Sequence, residues 1–204
     1  MGYHTPVHTD RPPNSHRFDV FSPKLGRPLT LFSYPQLHQW LLLEAFPGVR
    51  TFCERPDYLD LQEGPPRLID FWVQRLRLEA FLVLVDNDTP ELTLAKAPRI
   101  PVSYITPKAL ARWAPLARNW QSMISYLTAQ RRWFTEGDVE TAAAQCNRPM
   151  TLGQFEQQLS SRDPAWTRAV LFAALAHGRV RAPSLRTTPW SLETRILPAA
   201  YDGC

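Results

Sequence analysis

The sequence predicts a mixed α/β fold, and three observations carry that expectation. Leu37, Trp40, Leu41 and Glu44 recur at helical spacing behind a Ser33/Gln36 capping box, which marks one amphipathic helix early in the chain. Leu68 to Gln74 and Ala80 to Val85 read as strands. The second is apolar on both faces, as in the middle of a covered sheet. From Val139 onward the pattern changes to helix, helix and short ribbon.

The bulk properties bound this picture. A chain of 204 residues suits one large domain or two small ones, and 44% hydrophobic residues are enough for a packed core. No run approaches the ~18 apolar residues of a membrane span, and the N-terminus lacks the apolar stretch of a signal peptide. A cytoplasmic protein without a membrane partner is the expectation. Cys53, Cys146 and Cys204 are odd in number, far apart and form no CxxC pair, so neither a disulfide framework nor a zinc site is indicated. The net charge of +4 is uneven: residues 1–90 hold 9 Lys/Arg against 11 Asp/Glu, and residues 91–204 hold 14 against 8. The second half is therefore the expected side for phosphate contact, or simply a basic solvated surface.

In order along the chain, residues 1–16 are rich in Pro, His and Asp and read as a flexible arm. His4 and His8 are four apart, but Pro6 lies between them and argues against a helical metal pair. Residues 17–32 suggest a hairpin turning at Pro23-Lys24-Leu25-Gly26-Arg27. The first helix begins near Ser33 and stops at Pro47-Gly48; Val49, Thr51 and Phe52 then form a short strand. Asn87-Asp88-Thr89-Pro90 ends the apolar strand, and residues 91–106 are ambiguous. After Pro107 the chain turns helical, and Pro115 should kink or split the helix. Leu116, Trp120, Met123, Ile124, Leu127 and Phe134 mark its inner face. Thr151/Gln154 form a second capping box, Asp163-Pro164 starts another helix and Gly178 ends it. A ribbon over 179–196 completes a winged-helix order. The expected domains are thus an arm (1–16), a core (17–106), connecting helices (107–138) and a winged-helix-like domain (139–204).

Several phrases point to a family. Ser22-Pro23-Lys24-Leu25-Gly26-Arg27-Pro28, the helix ending Leu-Leu-Leu-Glu-Ala-Phe-Pro-Gly-Val, Phe52-Cys53-Glu54-Arg55-Pro56 and Ile69-Asp70-Phe71-Trp72-Val73 resemble TnsA-type endonuclease subunits of heteromeric transposases. The stretch from Leu175 to Ile196 is similar to that family's C-terminal region. The likeness covers most of 17–90 and about 166–197. It implies a restriction-endonuclease-like core and Mg²⁺ chemistry that cuts transposon 5′ ends. It also implies DNA, a DDE-type transposase and an AAA+ ATPase regulator as partners.

The residues that should carry that chemistry are mostly changed. The family's helix glutamate falls at Gln36, its strand aspartate at Asp70, and its acid-spacer-lysine at Leu84-Val85-Asp86. Divalent ions need clustered oxygen ligands, and one carboxylate holds Mg²⁺ weakly. The resemblance thus implies a nuclease core with little or no activity, and Mg²⁺ as cofactor only if activity remains. Each position also has an ordinary explanation: Gln36 as a cap, Asp70 as a solvent-facing strand-end residue, Asp86 as a turn cap. Glu44 and Glu79 are acids that could migrate into a rearranged site; such a site would use Asp70 with Glu79, by a hairpin return, or with Asp86.

For DNA contact, the candidate recognition helix 164–177 offers Arg168 as its exposed base, with Arg179, Arg181 and Arg186 suited to phosphates. Trp166 and Trp190 serve either as partner anchors or as core. Three functions follow: a TnsA-like subunit with a decayed site, an active endonuclease with a rearranged site, or a plain winged-helix DNA-binding adaptor.

Overall fold

A computed structural model describes residues 3, 5–88 and 92–200 of the chain. It is mixed α/β and divides into two compact units, one of residues 1–43 and 48–112, the other of 44–47 and 113–204.

The first unit opens with an antiparallel hairpin, β1 (Phe18–Ser22) and β2 (Arg27–Leu31), as its turn chemistry predicts. Gly26 supplies the positive φ, +67°, that the turn needs. Helix α1 (Tyr34–Ala45) follows. Its main sheet runs β3-β6-β7-β8, from β3 (Val49–Glu54), β6 (Phe71–Arg75), β7 (Glu79–Leu84) and β8 (Val102–Ile105). Between β3 and β6 lie two short paired strands, β4 (Tyr58–Leu59) and β5 (Arg67–Leu68).

The first three strands of the sheet are antiparallel, and β8 joins β7 in parallel. The stretch 91–106, ambiguous in sequence, thus contains a strand. The crossover that feeds it is long, as a parallel pair requires, but has no helix among its described residues. Strand β7 is paired along both edges, and its successive residues Phe81 to Leu84, which point to opposite faces, are all buried, so both faces are covered. On one face, Cys53, Trp72, Phe81 and Val83 pack with Leu59 and Ile69. Cys53 is fully buried, and that burial pushes its thiol up to about 11, which disfavours the thiolate.

Where it is described, at residue 3 and over 5–16, the expected arm makes contacts with the first unit. Tyr3 packs edge-on to Phe81 with centroids 5.3 Å apart, and the Val7 N–H donates to the Arg55 carbonyl at 2.8 Å. His4 lies outside the described residues, as do Thr89, Pro90 and Cys204.

Helix α2 (Pro107–Arg112) ends the first unit, and α3 (Ala114–Gln130) runs in the second; the helical stretch is split just before Pro115. Then come α4 (Glu136–Gln145), β9 (Met150–Thr151), α5 (Leu152–Gln158), α6 (Pro164–Ala176), β10 (Val180–Arg181), a 3-10 turn (Pro183–Arg186) and β11 (Arg195–Pro198). The strands form a small sheet in the order β10-β11-β9. The Thr151/Gln154 box and the Asp163 cap form as their spacing predicts. Helix α6 ends in a Schellman motif: the Gly178 N–H donates to the Leu175 carbonyl and the Arg179 N–H to that of Ala174, with Gly178 at φ +72°. Among the described residues no helix is long and apolar enough to cross a membrane.

Candidate functional site

Of the polar residues singled out in the first unit, Gln36 and Asp70 meet where α1 faces the start of β6. Gln36 stands in the first turn of α1 because Ser33 Oγ accepts its N–H at 3.2 Å. Its side chain then bridges two partners: Oε1 accepts the N–H of Phe32 at 2.8 Å, and Nε2 donates to Asp70 Oδ1 at 2.8 Å. The cap and the site contact are therefore the same side chain.

Asp70 lies between β5 and β6 and is only 6% exposed, so it is not the solvent-facing residue that one expectation allowed. Its Oδ2 accepts the N–H of Leu84 at 2.8 Å, and Arg67 stands 3.6 Å from the same oxygen. Burial pushes the Asp70 carboxyl above its ordinary range; the hydrogen bonds from Gln36 and Leu84 and the Arg67 charge pull the other way, and Asp86 adds to the push.

This shift has a testable sign. The folded-state value lies above the unfolded 3.8, so the folded chain keeps a proton that the unfolded chain has released. Asp70's contribution to stability is then full below 3.8 and declines as pH rises through the raised value. Asp70→Asn should remove that slope. In thermal melts, the stability of wild type relative to the variant is expected to shrink as pH climbs from about 4. A gap that stays flat or widens contradicts this account.

The other acids are placed differently. Asp86 is exposed, yet close enough for its charge to act on Asp70. Two residues on, Asp88 Oδ1 accepts the N–H of Lys108 in the first turn of α2 at 3.1 Å. Glu79 is not brought to Asp70. It pairs with Gln74 at the far end of β7, whereas Asp70 contacts Leu82 and Leu84, roughly 10–16 Å along the strand. The Glu79 carboxylate accepts from Trp72 Nε1 at 3.2 Å instead. Glu44 is buried two helical turns beyond Gln36, about 12 Å along α1. Neither Glu79 nor Glu44 is thus brought to Asp70; of the acids weighed for a rearranged site, Asp86 is the one whose charge reaches it.

A second polar contact nearby has no counterpart in the sequence expectations. Arg27 on β2 grips Glu54 on β3 with both guanidinium arms, at 2.8 and 2.6 Å, and Glu54 is 2% exposed. The buried Arg55, at φ +47°, donates to the Thr30 carbonyl at 2.6 Å and lies over the Phe32 ring. These partners are 27 and 25 residues apart, which no local pattern reveals.

As a donor set for paired magnesium ions the group does not fit. It has one buried carboxylate, both of whose oxygens already accept hydrogen bonds, with a guanidinium close by. No three His, Cys, Asp or Glu gather as a metal set among the described residues.

In the second unit, α6 departs from the expected recognition helix. Thr167 and all residues from Ala169 to Leu175 are buried. Arg168 is not a free base: it pairs with Glu156 at 2.6 Å, bonds Tyr126 Oη at 3.2 Å and lies 5.8 Å over the Trp190 ring. Trp190 is half-buried: it packs on Tyr126 and Phe172 and donates to Ser122 Oγ at 2.7 Å. The apolar run Ala-Val-Leu-Phe-Ala-Ala-Leu-Ala was the signal available in sequence, since a helix apolar all round is a buried one. Arg179 pairs with Glu136 and with Glu140, the latter at 3.2 Å. Arg181 and Arg186 are exposed, Arg186 stacking 5.3 Å from the Trp113 ring centroid. Trp166 is half-buried, its Nε1 donating to the Trp133 carbonyl at 2.8 Å.

The chain matches no protein-family model and has no significant match among curated proteins.

Proposed function

We propose that this chain is a TnsA-like subunit of a DNA transposition complex, with a restriction-endonuclease-like core that no longer cuts and a winged-helix-like C-terminal domain that docks a protein partner. The observation that carries the proposal is the 2.8 Å bond from Gln36 Nε2 to Asp70 Oδ1. The resemblance puts two metal-binding acids at these positions, and here they touch as amide and carboxylate, holding each other where they would hold an ion. The sheet supports the same reading: three antiparallel strands, a parallel fourth and a helix in front. So does the helix-strand-helix-helix-ribbon order of the second unit, with its three-stranded sheet.

Partner docking is preferred to major-groove reading in the second unit because α6 has almost no free surface and Arg168 is consumed by Glu156. That also weighs against a plain winged-helix adaptor. Loss of an electrostatic stabiliser typically costs about a hundred- to a thousandfold in rate, and two or three are missing.

The test incubates the full chain, alone and with a DDE-type transposase whose gene adjoins its own, with transposon-end duplex and Mg²⁺ or Mn²⁺. No 5′-strand cleavage is expected. Cleavage that vanishes in Asp70→Ala overturns the inactive core, and failure to associate with that transposase overturns the complex.

A further inference from the structure

The β6–β7 hairpin ends in Arg75-Leu76-Arg77-Leu78, where a tight turn would ordinarily place Gly, Asn or Asp. Leu76 and Leu78 are 68% and 72% exposed. Adjacent leucines this bare are not the scattered apolar residues of an ordinary surface. Beside them, the register of β3 against β6 jumps between Val49 and Thr51, opposite Arg75 and Gln74, so Arg50 is the extra residue of a β-bulge. A bulge re-aims the side chain it carries, and Arg50 joins Arg75, Arg77 and the two leucines around one shallow depression. None of the three guanidinium groups has a hydrogen-bond or ion-pair partner among the described residues. This positive apolar tip belongs to the half of the chain that is net acidic by count.

We propose that this tip is a wedge for duplex DNA, in which Arg50, Arg75 and Arg77 hold backbone phosphates flanking the minor groove while Leu76 and Leu78 enter between base pairs and kink the helix. The inference rests on the DNA-associated reading above. Unpaired guanidinium forks match phosphate, and leucine is among the side chains that proteins insert at base steps. Only the three-residue loop Leu76 to Leu78, and not the four-stranded sheet behind it, need enter the narrow minor groove. An anionic membrane would satisfy the charge. The tip, however, carries no Trp or Tyr of the kind that populates the water–lipid boundary.

The experiment uses the full chain and a short duplex bearing end-to-end fluorophores, titrated at several salt concentrations. Wild type is expected to bind and to shorten the end-to-end distance. Leu76→Ser/Leu78→Ser should bind several-fold more weakly with the same salt dependence and without the shortening. Arg50→Gln/Arg75→Gln/Arg77→Gln should lower the slope of log K against log salt by roughly 2–3. All five side chains are exposed, so unchanged melting curves are expected for both variants. Binding and bending that survive both sets of substitutions overturn the wedge and leave the DNA-associated reading intact. Loss of phosphatidylserine-vesicle binding in the leucine variant, with DNA binding untouched, overturns it in favour of a membrane. If wild type fails to bind duplex at all, the wedge and the DNA-associated reading fall together.

Discussion

Replacing Gly178 with alanine is expected to destabilise the second unit by about 2–5 kcal/mol, combining left-handed backbone strain with overpacking. Gly178 has φ +72°, and a Cβ there would lie 2.8 Å from Cβ of Pro47, a ring that cannot rotate away. Gly26 provides the control: its φ is +67°, but an added Cβ would meet nothing within 4 Å. Gly26→Ala should therefore cost only the strain, about 1–2 kcal/mol. Urea unfolding of both variants separates the two contributions. Equal losses would mean that the contact with Pro47 relaxes freely.

Arg27→Met should cost the first unit about 3 kcal/mol, because it leaves the Glu54 carboxylate buried without its bidentate partner. The figure belongs at the low end of such losses because Arg55 remains within range of Glu54. The double replacement Arg27→Met/Glu54→Leu should recover most of that stability, since an apolar pair tolerates burial and a lone charge does not. A double-mutant cycle on thermal or urea unfolding measures the coupling. If the double variant is as unstable as the sum of the two single ones, the pair contributes through packing rather than charge.

What the sequence revealed followed the range of the interactions. The caps at Ser33, Thr151 and Asp163 and the stop at Gly178 are settled within four or five residues, so a short window contains their whole cause. The Thr135/Asp138 box is equally local, but Gly137 inside it weakens the helical pattern that would mark it. Strand β8 was not legible: four residues between prolines gain strand character only from β7, far back in the chain. The candidate site divides the same way. Positions Gln36 and Asp70 could be named from the resemblance, but their mutual bond and the Arg27–Glu54 grip span 34 and 27 residues. Charge counts favoured the C-terminal arginines for DNA. They could not show that Glu156 and Glu136 take Arg168 and Arg179, nor that a bulge turns Arg50 toward Arg75 and Arg77.

The parallel seat of β8 has a consequence for synthesis. Until Val102–Ile105 leaves the ribosome, about eighteen residues after Leu84, one whole flank of the Phe81–Leu84 backbone is bare and flanked by grease on either side. At ordinary translation speeds that interval lasts on the order of seconds, long enough for a stray strand from another nascent chain to dock in its place. The run Asp86-Asn87-Asp88, separated from Leu84 by Val85 alone, is then the nearest polar guard on that side while the edge waits.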